Sequence, residues 1–179
     1  MGKLYDAITD RQRKWITNQK VFFVATAPSG EEGHVNVSPK GLDTFKVIDD
    51  KTIAYLDLSG SGLETIAHVN QNKRITIMMT AFDGTPMTMR FYGDGEVLHH
   101  GTSEYDNLKD YFINHTGARS IIKVNLTRIQ DSCGYSIPLY EYKGDRDVYD
   151  KYCDVKGRAG IEKSISERNQ SIDGIKAGV

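Results

Sequence analysis

The sequence MTMRFYGDGEVL, residues 87–98, alternates apolar and polar side chains in its first half, which is typical of a β-strand with one buried face. Two glycines, Gly93 and Gly95, interrupt its second half. Glycine within a strand often marks a bulge or a sharp bend, such as the corner of a barrel. The segment therefore predicts a long strand that bends near its middle.

Shorter segments with strand-like patterns lie on both sides of it. Strands are predicted at residues 21–27, 35–38, 51–58, 74–81 and 120–129, and helices at residues 6–18, 62–70 and 103–114, with one or two more within residues 144–169. A doubly wound parallel sheet needs a helix between most strands, and the first three strands have none between them. We therefore predict a mainly β fold with flanking helices, a closed or partly closed barrel of six or so antiparallel strands in a Greek-key-like order.

Length and composition indicate one domain and argue against some classes of partner. The chain has 179 residues, with 23 Lys and Arg against 24 Asp and Glu, and it has no basic tail that would favour nucleic acid or an anionic membrane. No apolar run is long enough to span a bilayer, and the N-terminal residues lack the apolar core of a signal peptide. Two cysteines without metal-ligand spacing argue against a disulfide framework or a zinc site, and we expect Cys133 to be a buried structural thiol. These features predict a cytoplasmic protein.

The first candidate site is the strand that contains Asn36. Asn36, Ser38 and Lys40 are spaced two apart, so their side chains project from one face of an extended backbone. This face offers an amide, a hydroxyl and a cation, and Pro39 places the strand at an edge or a bulge. The pattern favours a bound anion or polar ring, and a solvent-facing strand surface is the alternative.

The second candidate site is the passage from a strand into a helix at residues 55–65. A Ser/Gly loop at residues 59–62 leads into the helix, and Ser61 with Glu64 has the form of a capping box. Exposed amides at a helix start, with glycines and hydroxyls beside them, can bind a phosphate. An ordinary capped helix start is the alternative, and the cation of Lys40 on a nearby strand favours the phosphate site.

Arg90 is the third candidate. If its side chain faces inward, it could bind a ring carbonyl or a phosphate through two hydrogen bonds; the alternative is a surface arginine whose stem packs on the sheet. The histidines are scattered, and the adjacent His99 and His100 point to opposite strand faces, which argues against a shared metal. His68 is the histidine closest to a candidate site, because it lies on the helix after the Ser/Gly loop.

Six segments carry a resemblance to a known family. They read FFVATA at 22–27, VNVSPKG at 35–41, AYLDLSGSG at 54–62, ETIAH at 64–68, RFYG at 90–93 and DSCGY at 131–135. In this order they resemble the pyridoxamine 5'-phosphate oxidase-like family, and the resemblance covers roughly residues 8 to 140.

The resemblance implies a split β-barrel that binds FMN at the interface of a homodimer, with no metal. It assigns the flavin contacts to Asn36, Val37, Ser38, Lys40, Tyr55, Leu56, Asp57, Ser59, Ser61, Gly62, Glu64, Thr65 and Arg90. The FMN-binding domain would occupy residues 1–143, and a C-terminal helical extension at residues 144–179 would pack on the same domain or on its dimer partner. The partners are therefore a second copy of the chain and a small-molecule substrate or electron donor that the sequence does not identify.

Two departures from the family pattern bear on the reaction. Glu64 and Thr65 stand where the vitamin-forming oxidases carry basic phosphate contacts, and those enzymes end in a segment with Trp and Arg, whereas the single tryptophan here is Trp15. We therefore expect an FMN-dependent oxidoreductase with a substrate other than that of the namesake. Lys40 or Arg90 would stabilise negative charge on the reduced flavin ring. A non-catalytic flavin carrier or redox sensor is one alternative, and another planar cofactor, deazaflavin or haem, is a second.

Overall fold

The computed structural model describes residues 2–60 and 62–178, and its core is one antiparallel sheet. The strands are β1 (Leu4–Tyr5), β2 (Phe22–Thr26), β3 (Asn36–Lys40), β4 (Phe45–Val47), β5 (Thr52–Leu58), β6 (Arg74–Thr80), β7 (Thr88–His99) and β8 (Ala118–Ser132). The helices are α1 (Asp10–Asn18), α2 (Glu64–Asn72), α3 (Ser103–Asp106) and α4 (Val148–Ser166), with a 3-10 turn at Lys109–Tyr111.

The sheet is curled, so that strands near its two ends come into contact. Its strand order is β3-β2-β6-β7-β8-β5-β4, with β1 beside β8, and the pairings are antiparallel. The Phe22 ring of β2 lies 5.2 Å from the Phe45 ring of β4 and 5.4 Å from the Tyr55 ring of β5, measured between ring centroids. Strands from opposite ends of the order are therefore in contact, and this half-barrel with flanking helices confirms the predicted split barrel.

Gly93 lies at a bulge between two paired strands. The register of β7 against β8 shifts between Tyr92 and Gly93, as the glycines of this segment predicted. A Cβ atom on Gly93 would lie 2.3 Å from the carbonyl oxygen of Asn125, which is closer than real Cβ contacts. Glycine is needed here because only a bare Cα lets the two backbones approach this closely.

The two faces of the sheet bury separate apolar clusters. Tyr55 and Phe91 belong to the inner cluster, which α2 covers with Ile66, and all three side chains are fully buried. Leu56 belongs to the second cluster, together with Tyr105 of α3. The alternation of side chains along β5 therefore places Tyr55 and its neighbour Leu56 on opposite faces.

Several details differ from the sequence prediction. Strands β1 and β4 were not predicted, because two and three residues are too few to show an alternating pattern. The helix predicted at residues 103–114 is reduced to the one-turn α3 and the 3-10 turn. Helix α2 begins after Leu63, and the Ser61 of the predicted capping box lies outside the described residues. The prediction that Cys133 is buried is wrong: Cys133 is exposed, and Cys153 of α4 is the buried cysteine.

The C-terminal part of the chain folds back onto the sheet and α2. Helix α4 is kinked at Gly157, whose φ of 64° is in the left-handed region. Beyond the helix, Ala177 is fully buried, and its carbonyl oxygen accepts a hydrogen bond from Asn70 Nδ2 of α2 at 2.7 Å. Among residues 2–60 and 62–178, no helix combines the length and the apolar character needed to cross a membrane.

Candidate functional site

The polar residues of β3 face the inside of the half-barrel. Asn36, Ser38 and Lys40 pair with Thr26, Val24 and Phe22 of β2, and all three of these β2 residues are buried. Paired residues of an antiparallel ladder share a face, so the three polar side chains extend the inner face along the open edge of the sheet. The prediction that they lie together on one face is confirmed by this register.

Asn36 connects β3 to the start of α2. Its Nδ2 donates to Thr26 Oγ1 at 3.2 Å and to Thr65 Oγ1 at 3.0 Å. Its Oδ1 accepts a hydrogen bond from Ser38 Oγ at 2.8 Å. The strand and the helix start, which the sequence predicts to converge on one anion, are therefore hydrogen-bonded to each other, and Asn36, Ser38, Lys40 and Thr65 are called the cluster below.

A buried carboxylate, Asp57, joins the two ends of the curled sheet. Its Oδ1 lies 3.3 Å from Lys40 Nζ of β3, and its Oδ2 lies 2.7 Å from Arg119 Nε of β8. The Asp57 side chain is 1% exposed, so its charge is compensated by these two cations and not by water. Burial alone raises the pKa of the Asp57 carboxyl, but the charges of Arg119 and Lys40 outweigh it and the pKa is lowered.

Arg119 is the site residue that the sequence reasoning missed. Besides Asp57, its guanidinium reaches the carbonyl oxygen of Gly62, which accepts from Nη1 and Nη2 at 3.3 Å each. Arg119 therefore holds the loop before α2 in place. A signal was present in the sequence, because Arg119 and Asp57 are each set in an apolar strand, and a charge in such a strand needs a buried partner.

The start of α2 leaves its first backbone amides without a side-chain cap. Leu63 occupies the N-cap position and makes no capping hydrogen bond. The carboxylate of Glu64 does not cap this turn; its Oε1 accepts a hydrogen bond from the backbone N–H of Ile172 at 3.2 Å. Uncapped amides at a helix start, with the Lys40 ammonium on the same cluster, fit a bound phosphate.

Tyr55 provides a second observation that fits a bound polar group. Its hydroxyl is fully buried and forms no well-aligned hydrogen bond with the part of the chain that the structure describes. Burial raises the pKa of this hydroxyl well above its ordinary value, the nearby Asp57 carboxylate raises it further, and the nearby Thr65 side chain lowers it only slightly. The hydroxyl is therefore a protonated donor with an unused hydrogen bond beside the cluster.

Four of the predicted residues do not join the cluster. Val37 is exposed and Leu56 packs in the second apolar cluster, both on the opposite face of the sheet.

Arg90 of β7 also faces away from the neighbouring core residue Phe91, and its Nη1 donates to Ser132 Oγ at 3.0 Å. Within this chain Arg90 and the polar residues of β3 lie on different faces of the sheet, because of strand alternation, and the predicted contact of Arg90 with the flavin stays a prediction. Ser59 instead pairs its hydroxyl with that of Tyr149 at 2.9 Å. Ser61 lies outside the described residues, so its predicted contact stays a prediction.

His68 lies behind the cluster and is fully buried. Its Nδ1 is 3.0 Å from Thr26 Oγ1, the hydroxyl that accepts a hydrogen bond from Asn36. If the Thr26 hydroxyl donates a hydrogen bond to His68, then Nδ1 is the acceptor and the imidazole proton is on Nε2. Nε2 has no partner among the described residues. The neutral ring is favoured, because burial lowers the pKa of His68 although Asp173 and Glu64 act to raise it.

Acid is expected to destabilise the protein through His68. The unfolded chain binds the proton of this histidine more tightly than the folded chain does, so stability is fully present above pH 6.5 and falls as the pH drops below that value. We expect the urea midpoint to fall between pH 7.5 and pH 5.5, and we expect His68→Gln to reduce this pH dependence. An unchanged pH dependence in the variant would show that His68 is not the responsible group.

Sequence comparisons with known proteins bear on the family of the chain. The sequence profile described as pyridoxamine 5'-phosphate oxidase matches residues 8–133. A curated Aspergillus flavus protein, named pyridoxamine 5'-phosphate oxidase family protein ustO, is 38% identical over 149 residues. The match covers 81% of this chain and 59% of the fungal protein, so this chain spans about three fifths of that relative's length.

Solved structures show the same fold. HupZ from Group A Streptococcus is 24% identical, with a TM-score of 0.55, over 68% of this chain and 91% of HupZ. A protein from Lactobacillus delbrueckii, described as a possible pyridoxamine 5'-phosphate oxidase, is 16% identical, with a TM-score of 0.54, over 70% of this chain and 94% of that chain. At these identities the two structures bear on the fold alone.

Proposed function

Because the chain belongs to the pyridoxamine 5'-phosphate oxidase family, we propose that it is a flavoprotein that binds FMN at the open edge of its half-barrel. The observation that carries this proposal is the convergence of Lys40, the hydrogen-bonded Asn36 and the uncapped start of α2 in one cluster. A cation and free backbone amides suit the flavin phosphate, and the unused Tyr55 hydroxyl suits a polar atom of the ribityl chain or ring. We further propose an oxidoreductase whose substrate differs from that of the namesake enzyme.

The residues of this chain would hold and orient the cofactor. When bound, the flavin supplies the electron-transfer chemistry, and the protein supplies position and charge. Asp57 and Arg119 keep Lys40 and the loop before α2 in fixed places, because both contacts are made to buried or half-buried groups. A site held in this way needs little rearrangement to accept a phosphate.

We propose that the working form is a homodimer with the flavin at its interface. Val37 on the outer face of β3 is 62% exposed, and Val35 just before the strand is 71% exposed. A second copy packed along the open edge at β3 would bury these valines, would border the flavin beside Lys40, and would bring Arg90 of the outer face to the boundary between the two chains. The described residues of the C-terminal extension, 144–178, hydrogen-bond to their own domain, as Tyr149 does to Ser59 and Ala177 to Asn70, and the packing of the extension on the same domain or on a partner stays a prediction. A cytoplasmic location stays a prediction.

A non-catalytic flavin carrier or redox sensor is the second candidate. It is favoured by the protonation states of the buried titratable groups. The charge of Asp57 is neutralised by two cations, and Tyr55 and His68 are held in their neutral forms. None of these described residues is an exposed acid or base for proton transfer. If the FMN-loaded protein, once reduced, reacts slowly with oxygen, nicotinamide nucleotides and quinones alike, the carrier function is supported over the oxidoreductase.

Replacing Lys40 with alanine is expected to weaken FMN binding at least ten-fold, about 1.4 kcal/mol, because the variant loses the half-exposed cation of the cluster. Quenching of flavin fluorescence during titration measures the affinity. Lys46→Ala is the matched control, since Lys46 lies outside the cluster and pairs with Asp43. The proposal is overturned if the unaltered protein takes up no FMN, or if the two lysine variants bind it equally.

A further inference from the structure

We propose that a cavity between the loop after β5 and the kinked α4 binds a nucleoside phosphate, an inference that rests on the proposed flavin site beside it. The cavity has a volume of about 450 Å³. Ser59 and Gly60 line it on the barrel side, and Tyr149 and Tyr152 line it on the α4 side. Arg146 and Arg168 add two positive charges to the lining, which also includes Val148, Ser164 and Ile165.

The kink in α4 creates this cavity. Because the helix changes direction at Gly157, the residues after the kink return toward the loop, and Arg168 Nη1 donates to the carbonyl oxygen of Gly60 at 3.3 Å. On the other side, the Tyr149 hydroxyl donates to the carbonyl oxygen of Ser59 at 2.8 Å. Both walls are therefore anchored to the loop that leads to the proposed phosphate site at α2.

The charge of the cavity suits an anion. No acidic side chain lines it, and neither Arg146 nor Arg168 forms an ion pair with a residue in 2–60 or 62–178. A third cation stands close by, since Lys156 Nζ lies 5.2 Å from the centre of the Tyr152 ring. Guanidinium groups bind phosphate through paired hydrogen bonds, so two arginines whose charges are not neutralised by a described carboxylate favour a phosphate ligand in this cavity.

The aromatic wall suits a planar base. The two rings that line the cavity, Tyr149 and Tyr152, have centroids 6.2 Å apart and planes 30° apart, and His115, outside the lining, stacks on Tyr149 at 5.3 Å. Tyr149 is fixed by its hydrogen bonds to Ser59, so this wall is rigid at its centre. A rigid aromatic surface beside cations suits a ligand that carries both a base and a phosphate.

Two sources could supply this chemistry. Ser59 and Gly60 line the cavity, and Gly62 lies just before the proposed FMN phosphate site at α2, so an adenosine phosphate here could be the second half of FAD. It could equally be a separate nucleotide that binds while FMN occupies the barrel edge. The shared ligand is an adenosine 5'-phosphate group, and AMP serves as its probe.

Calorimetric titration of the full chain with AMP, FMN and FAD tests the proposal. We expect AMP to bind, and we expect Arg146→Gln and Tyr152→Leu each to weaken AMP binding at least five-fold while FMN affinity is unchanged. Lys151→Gln is the matched control, because Lys151 also lies on α4 but pairs with Asp147 and does not line the cavity. Circular dichroism checks that each variant is folded.

The outcomes separate the two sources and the two proposals. If FAD binds more tightly than FMN, and AMP competes with FAD but not with FMN, the cavity holds the adenosine half of the dinucleotide. If AMP binds equally well with and without FMN, the cavity holds a separate nucleotide. FMN binding without AMP binding, and with FAD no tighter than FMN, overturns the cavity proposal and leaves the flavin site standing. AMP binding that the cavity variants weaken, without any flavin binding, supports the cavity and overturns the flavin site.

Discussion

Arg119→Met is expected to lower the free energy of unfolding by about 3–5 kcal/mol, the cost of leaving a buried charge without its partner. Asp57 is 1% exposed, and its closest cation is Arg119, whose side chain is 6% exposed. Lys40 would remain, but its ammonium is farther from the carboxylate, at 3.3 Å, and its side chain is 25% exposed. The loop before α2 would also lose its contacts from the guanidinium to the Gly62 carbonyl.

Urea denaturation of the variant and of two controls measures this effect. Arg128→Met removes an exposed arginine from the same strand and is expected to change stability by less than about 0.5 kcal/mol. Adding Asp57→Asn to Arg119→Met is expected to recover part of the loss, because the unpaired charge is then gone. A loss below about 1 kcal/mol in Arg119→Met would mean that the Asp57 charge is compensated without Arg119.

Gly93→Ala is the second substitution with a large expected effect, a loss of about 1–3 kcal/mol from forced overpacking. The new Cβ would stand 2.3 Å from the carbonyl oxygen of Asn125 and 2.8 Å from Val124 Cγ1, and a backbone atom of a paired strand cannot move aside cheaply. The substitution must therefore separate β7 from β8 where the two strands bend.

Thermal unfolding compares this variant with Gly60→Ala. Nothing lies within 4 Å of a Cβ at Gly60, and its φ is outside the left-handed region, so this control is expected to unfold close to the unaltered protein. Equal melting temperatures for the two variants would show that the bulge tolerates a side chain, and the argument for glycine at position 93 would fail.

The sequence predicted the architecture better than the contacts within the site. The bulge at Gly93 and the face shared by Asn36, Ser38 and Lys40 follow from local alternation, so a single segment is enough to predict each. The partner of Asp57 is not local: Arg119 stands 62 positions away, and only the curling of the sheet brings the two together.

For Arg90 the sequence left open which face of the sheet the side chain takes. Its place in a strand was predicted correctly, but its face depends on which neighbours are buried, and Phe91 takes the inner face. The contact of Arg168 with Gly60 was equally hidden from sequence, because the spacing of residues within α4 does not reveal the fold-back after its kink. Strand alternation and turns can be predicted from residues that are neighbours in the sequence. Ion pairs across the curled sheet depend on its topology.

The hydrogen bond between Asn70 and Ala177 also affects when the site can form during translation. The two residues are 107 positions apart, so at about 5–20 residues per second a ribosome adds the second roughly 5–20 seconds after the first. For that interval α2 and the loop before it lack the tail that packs on them. A nascent barrel therefore has time to curl before this part of the chain arrives, and a cofactor or chaperone would meet an uncovered helix during that delay.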